Sequence, residues 1–159
     1  MALTAPNTWT YRPRGVGGDC GSFLVQNAEV IYNGALVVID KATGTPAIEG
    51  LLKNLDDLSG TLDWFVGTAR PSTNYVTGDG SSVWCPVDTS GPTIVHVSVA
   101  GITAKPQIGD LVYATDENTL TMTPASNVKA VGVVERYYAT TYVDCKLFTP
   151  MECMAFQRG

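Results

Sequence analysis

Apolar and polar positions follow two different patterns along this chain, and both belong to strands. Ala35-Leu36-Val37-Val38-Ile39 is an unbroken β-type run, which predicts a strand buried on both faces. Asn33-Gly34 stands just before it and predicts a hairpin turn. Residues 93–100 alternate instead, with Val95, Val97 and Val99 on one face and His96 and Ser98 on the other. Residues 111–114 and 120–123 flank Asp116-Glu117-Asn118 and predict a hairpin, as do residues 130–138 and 142–148. Tyr75-Val76 and residues 83–87 flank Thr77-Gly78-Asp79-Gly80-Ser81-Ser82, a further hairpin tip. Helical spacing occurs at one place: Leu51, Leu52, Leu55 and Leu58 predict a short helix over 48–58, stopped by Gly60.

Many short strands between regular turns predict an all-β fold, a small β-barrel or β-sandwich of short antiparallel strands with at most one short helix. An extended N-terminal arm is expected over residues 1–22, where Pro6, Pro13, Gly15, Gly17, Gly18 and Gly21 break regular structure. The core domain then covers 23–149, with an insert at about 48–92, and a C-terminal tail covers 150–159. Trp9 and Tyr11 sit within the arm, so it should pack on something: its own core, a neighbouring copy or another protein. Trp64 and Trp84 are expected in the core.

Composition narrows the function. Charged residues are 16% of the chain, against about 25% in an average globular domain. Such a surface is cheaper to desolvate and suits a protein that docks on something large. The net charge is −5 and Lys and Arg do not cluster beyond Arg12 and Arg14, which argues against nucleic acid as a partner. No apolar stretch approaches the ~20 residues of a spanning helix, and no signal peptide is visible, so synthesis in the cytoplasm and no membrane partner are expected. Cys20, Cys85, Cys145 and Cys153 form no Cys-x-x-Cys pair and should be reduced, partly buried thiols.

Candidate chemistry is sparse. His96 is the one histidine and lacks a nucleophile elbow, so it reads as a surface or interface residue of a strand. The run Gly15-Val16-Gly17-Gly18-Asp19-Cys20-Gly21 misses the phosphate-loop spacing at Cys20. Asp56 and Asp57 are adjacent and would not share a helix face, and Asp79 reads as a turn residue without the alternating ligands of a calcium loop. No catalytic, cofactor-binding or metal-binding residues are assigned, and no enzymatic activity is expected.

The second half has a characteristic layout. Val95-His96-Val97-Ser98-Val99-Ala100-Gly101 is followed by Gln107-Ile108-Gly109-Asp110-Leu111-Val112-Tyr113 and by Thr119-Leu120-Thr121-Met122-Thr123. Val131-Gly132-Val133-Val134-Glu135 and Val143-Asp144-Cys145-Lys146-Leu147 close it. This order resembles a family of tailed-bacteriophage head decoration (capsid cement) proteins. Asn33-Gly34-Ala35-Leu36-Val37-Val38 looks like that family's opening strand, so the likeness runs over about residues 30–148. Gly109 and Asp110 would form a turn, with Val112 and Tyr113 in the core. The resemblance implies a structural protein on the outer surface of the virion head that bridges major capsid protein subunits and stabilises the mature shell, often as a homotrimer. It implies no cofactor. The arm and the insert depart from the shorter members, and Trp9, Tyr11, Arg12 and Arg14 of the arm are the expected capsid-binding residues. Another virion appendage component, such as a tail, fibre or receptor-binding module, would instead show Trp84 and Tyr75 in a surface groove. A ligand-binding or enzymatic barrel would show a polar pocket around His96.

Overall fold

A computed structural model describes residues 3–12, 20–41, 50–56, 63–103, 107–124 and 129–158. The first half of the chain supplies β1 (Thr10–Arg12), β2 (Cys20–Leu24), β3 (Val30–Tyr32), β4 (Leu36–Ile39), β5 (Leu52–Asn54), β6 (Trp64–Ala69) and β7 (Tyr75–Thr77). The second half supplies β8 (Trp84–Asp88), β9 (Thr93–Ser98), β10 (Leu111–Asp116), β11 (Thr119–Thr121), β12 (Lys129–Ala139), β13 (Tyr142–Leu147) and α1 (Pro150–Arg158).

The strands form three antiparallel sheets. One has the order β1-β9-β13-β12-β10-β11, the second β2-β8-β6-β4-β5, and the third is the pair β3-β7. Among the described residues the sheets do not close into a barrel, and the fold is all-β and sandwich-like. Leu36, Val38 and Phe65 of the five-stranded sheet share one core with Ile94, Val97, Val112, Val134, Val143 and Leu147 of the six-stranded sheet. Val37, Val66 and Val87 turn the other way and pack with Val25, Ile31 and Leu52, with Val76 against them. The unbroken run at 35–39 therefore is a strand buried on both faces, and each such side chain removed from water contributes roughly 1.5–3 kcal/mol.

The two C-terminal hairpins, β10-β11 and β12-β13, stand where the turn residues place them. Gly109 has φ +90°, and its turn is tied to β12: Gly109 N–H donates to Val134 O at 2.8 Å and Val134 N–H to Asp110 O at 3.0 Å. Gly132 is required by a close approach, since a Cβ there would lie 2.3 Å from Lys146 O on β13. Val112 is fully buried in the core, whereas Tyr113 is half-buried.

Several expectations are corrected. The helix expected over 48–58 is absent from its described part, because Leu52–Asn54 is the edge strand β5. Leu52 and Leu55 enter the two different cores. Residues three apart on a strand face opposite ways, and a strand with both faces covered imitates helical spacing. Residues 48–49 and 57–60 lie outside the described residues. Asn33-Gly34 is a turn, with Gly34 at φ +82°, but it links β3 and β4, which sit in different sheets, so it closes no hairpin. Residues 77–82 likewise join β7 to β8 across sheets. The expected arm contains a strand: β1 pairs with β9, Tyr11 opposite Ile94. Pro13, Arg14 and the glycine run to Asp19 lie outside the described residues. The expected tail is α1, opened by a capping box in which Glu152 N–H donates to Thr149 Oγ1 at 3.2 Å and Thr149 N–H to Glu152 Oε2 at 2.8 Å. Pro150 takes the first helical position, where its missing N–H costs nothing. Trp84 is 57% exposed rather than part of the core.

Candidate functional site

The alternation along β13 creates an unusual position. Val143, Cys145 and Leu147 enter the core, so Asp144 turns to the outer face of the six-stranded sheet, yet it is 0% exposed. A buried carboxylate is expensive unless donors surround it, since desolvating an ion costs several kcal/mol. Three neighbouring strands supply them. His96 N–H on β9 donates to Asp144 Oδ1 at 2.9 Å, and the Tyr138 hydroxyl on β12 to Oδ2 at 3.1 Å. Arg12 Nη2 on β1 and Arg136 Nε on β12 stand 3.6 and 4.0 Å from the same Oδ2.

Two irregularities in strand pairing open the room for this carboxylate. On one side the register of β13 with β9 jumps from Val143↔Val97 to Cys145↔Ile94. Val95 and His96 thus face Asp144 together, and His96 takes φ +51°. That left-handed conformation costs a non-glycine residue roughly 1–2 kcal/mol, and here it aims the N–H at the carboxylate. The expected strict alternation of Val95, Val97 and Val99 is broken by this bulge: Ile94, Val97 and Val99 are buried, and Val95 is half-buried. On the other side, the register with β12 jumps from Val134↔Cys145 to Arg136↔Asp144, leaving Glu135 as the extra residue. Glu135 Oε2 accepts from Arg12 Nη2 at 2.9 Å and from Thr93 Oγ1 at 3.1 Å.

A layer of exposed rings rests on this base. The His96 ring stacks on Tyr142, with centroids 4.8 Å apart and planes 15° from parallel, and meets Tyr138 edge-on at 4.9 Å. The Arg136 guanidinium lies 6.0 Å from the Tyr138 ring. Tyr138 and Tyr142 remain 41% and 42% exposed, and Arg136 is also exposed. The named charges balance, Arg12 and Arg136 against Glu135 and Asp144. The result is an aromatic face held in place from below by paired charges.

Asp144 takes the main-chain N–H of His96 rather than a ring nitrogen, so the pair lacks the base–orienter bond of a catalytic triad. Two shallow clefts, one lined by residues 3–9 with Asn118 and the other by Gln107, Gly109, Asp110, Leu111, Tyr113 and Met122, both exclude His96. Among the described residues, no group of three or more His, Cys, Asp or Glu could hold a metal, and no helix is long and apolar enough to cross a membrane. Cys85, Cys145 and Cys153 are buried free thiols. Burial pushes the Cys85 thiol up to about 11 and raises Cys145 as well, which makes both poor nucleophiles.

The four residues expected to bind a capsid have separate fates. Trp9 is half-buried against the main core. Tyr11 packs there too: its hydroxyl donates to Gly34 O at 2.7 Å, and the Arg70 guanidinium lies 4.3 Å from its ring. Burial raises the Tyr11 phenol above its ordinary pKa, with the charge of Arg70 opposing. Trp9 and Tyr11 both contact the chain's own core and are only partly buried there. Arg12, half-exposed, is the one that joins the outer face. Arg14 lies outside the described residues. Sequence reasoning missed Glu135, Arg136, Tyr138, Tyr142 and Asp144. The available signal was the density of Arg and Tyr at both feet of one hairpin turn. Trp84 and Tyr75 (51% exposed) are both on the surface, with Tyr75 paired to the Tyr32 ring at 5.5 Å.

No protein family, no curated protein and no solved structure matches this chain.

Proposed function

We propose that this chain is a structural docking protein, a capsid decoration (cement) protein that binds the outer surface of a phage head and bridges major capsid protein subunits. The observation that carries the reading is the exposed layer of His96, Arg136, Tyr138 and Tyr142 fixed over a fully buried Asp144. Tyr and Arg are the residue types that dominate binding hot spots. Rings already held in place lose little freedom on association, so more of their burial contributes to affinity. Docking by this face leaves Trp9 and Tyr11 in structural roles and Arg12 at the edge of the contact. A homotrimer would repeat the face and raise the effective concentration of each copy on the shell.

The test is co-sedimentation with phage heads prepared without this component. Tyr138→Ala with Tyr142→Ala should weaken attachment at least ~10-fold, equivalent to about 1.4 kcal/mol. Undiminished attachment of the double variant removes this face from docking, and failure of the unaltered protein to attach removes the decoration role. A second reading, an appendage or receptor-binding module, is favoured by the exposure of Trp84 and Tyr75. It predicts that Trp84→Ala impairs adsorption to host cells and leaves head stability unchanged.

A further inference from the structure

A second polar cluster lies on the five-stranded sheet, away from the Asp144 face. Lys53 stands on the edge strand β5, opposite Val38 of β4. Asp40 follows β4, and Asp63 immediately precedes β6, whose Trp64 pairs with Ile39. Three adjacent segments therefore bring these side chains together. Lys53 Nζ is 3.1 Å from Asp63 Oδ2 and 3.5 Å from Asp40 Oδ2. Asp63 is 1% exposed, Asp40 2%, and the lysine side chain 15%. The other oxygen of Asp63, Oδ1, accepts the Lys41 main-chain N–H at 3.0 Å.

The geometry points to an intramolecular amide bond between Lys53 Nζ and Asp63 Cγ, with Asp40 as the proton-transferring acid–base group and the Lys41 N–H as the donor to the developing oxyanion. Each part needed for amide formation has an occupant. A nucleophilic nitrogen lies 3.1 Å from one oxygen of the carboxyl that it would attack. A second carboxyl touches the same nitrogen, as a proton shuttle must. A fixed N–H already faces the oxygen on which negative charge would build.

The step balances as a condensation. The resting amine is an ammonium: burial alone would lower its pKa, but the hydrogen bond to Asp63 and the charges of Asp63, Asp40 and Asp56 outweigh burial and raise it. The reaction begins when the ammonium gives one proton to the Asp63 carboxylate at Oδ2, leaving a neutral amine beside a neutral acid. The nitrogen lone pair then attacks Cγ, and Oδ1 carries the charge toward the Lys41 N–H. Asp40 takes a second proton from nitrogen and returns it to the departing Oδ2 hydroxyl. One C–N bond forms, one C–O bond breaks, and one water leaves, with no oxidant or reductant. The bond would fasten the short edge strand β5 to the start of β6 across β4. This inference does not depend on the capsid reading.

Mass spectrometry of the full chain decides it. The unaltered protein, denatured and intact, should weigh about 18 Da, one water, less than its sequence. A protease digest should contain a branched peptide joining Lys53 to Asp63. Lys53→Arg and Asp63→Ala should both return to full mass, and Asp40→Asn should accumulate uncrosslinked chain. An unaltered protein at full mass overturns the proposal whatever the variants do. So does a deficit that survives Lys53→Arg, which would place the lost water in a succinimide at Asp79-Gly80.

Discussion

The two polar clusters of this sandwich bury carboxylates in opposite ways. Asp144 lies in the middle of the six-stranded sheet, where β9, β12 and β1 all send donors to it, and its cover is a layer of exposed rings. Asp40 and Asp63 lie at strand ends of the five-stranded sheet and share the ammonium of Lys53. In the first case charge burial fixes the shape of a surface. In the second it ties an edge strand to its neighbours. A buried ion pair is weak evidence for stability in itself, so the difference lies in what each cluster holds still.

Removing the base of the first cluster should have the largest effect. Asp144→Ala leaves the His96 N–H and the Tyr138 hydroxyl without this acceptor, at about 1–3 kcal/mol for each buried group, and unfolding in urea should show a loss of about 3–5 kcal/mol. Asp144→Asn, which keeps an acceptor, should lose less. Equal stability of Asp144→Ala and the unaltered protein would erase the distinction between a supporting cluster and an incidental one. Next comes deletion of residues 1–12, which removes β1, the Tyr11 hydroxyl bond and Arg12 together. It should lower stability by at least about 3 kcal/mol. An unchanged unfolding midpoint would make this segment the loose arm that Pro6 and the proline and glycines beyond it suggest. Tyr142→Ala should shift stability by no more than about 1 kcal/mol, because its ring is already partly in water, whereas Tyr138→Ala also removes a donor to Asp144 and should cost about 1.5–3 kcal/mol. Circular dichroism that shows a folded double variant is what lets the docking test read binding rather than folding.

The strands were more legible than the site, for a physical reason. Strand periodicity is local, so the doubly buried run at 35–39 and the hairpins at 116–118 and 139–141 can be read from neighbouring residues. The capping box at Thr149 and Glu152 was equally local, and it was missed because the stretch looked like a terminal tail. Leu52 and Leu55 misled because a strand buried on both faces and a helix face both place leucines three apart. Asp144 was opaque for a different reason. Its burial depends on a donor from β9 and others from β1 and β12, so no window of the sequence contains it with its partners. Trp9 and Tyr11 stand out in the sequence as side chains in need of cover, and their own core covers them in part.

The smallest expected effect is a pH dependence at Glu117. This carboxyl is 3% exposed and accepts the Leu3 N–H at 2.6 Å. Burial raises its pKa above the ordinary value, with the Leu3 bond opposing. The folded protein therefore holds this proton more tightly than the unfolded chain. The contribution favours folding at low pH and is lost as pH rises above the unfolded glutamate value of about 4.3. Glu117→Gln should flatten that decline and change stability at neutral pH by less than about 1 kcal/mol. Unfolding followed across pH in both proteins checks it, and parallel curves would contradict the assignment.

The most direct measurement is an electron cryomicroscopy map of the assembled phage head at a resolution that traces this chain. The account predicts density for it on the outer surface, with Arg136, Tyr138 and Tyr142 pressed against the major capsid protein and Trp9 and Tyr11 inside its own sandwich. A chain found on the head but attached through another face would contradict the docking surface, and a chain found in the tail, or not in the virion at all, would contradict the decoration role.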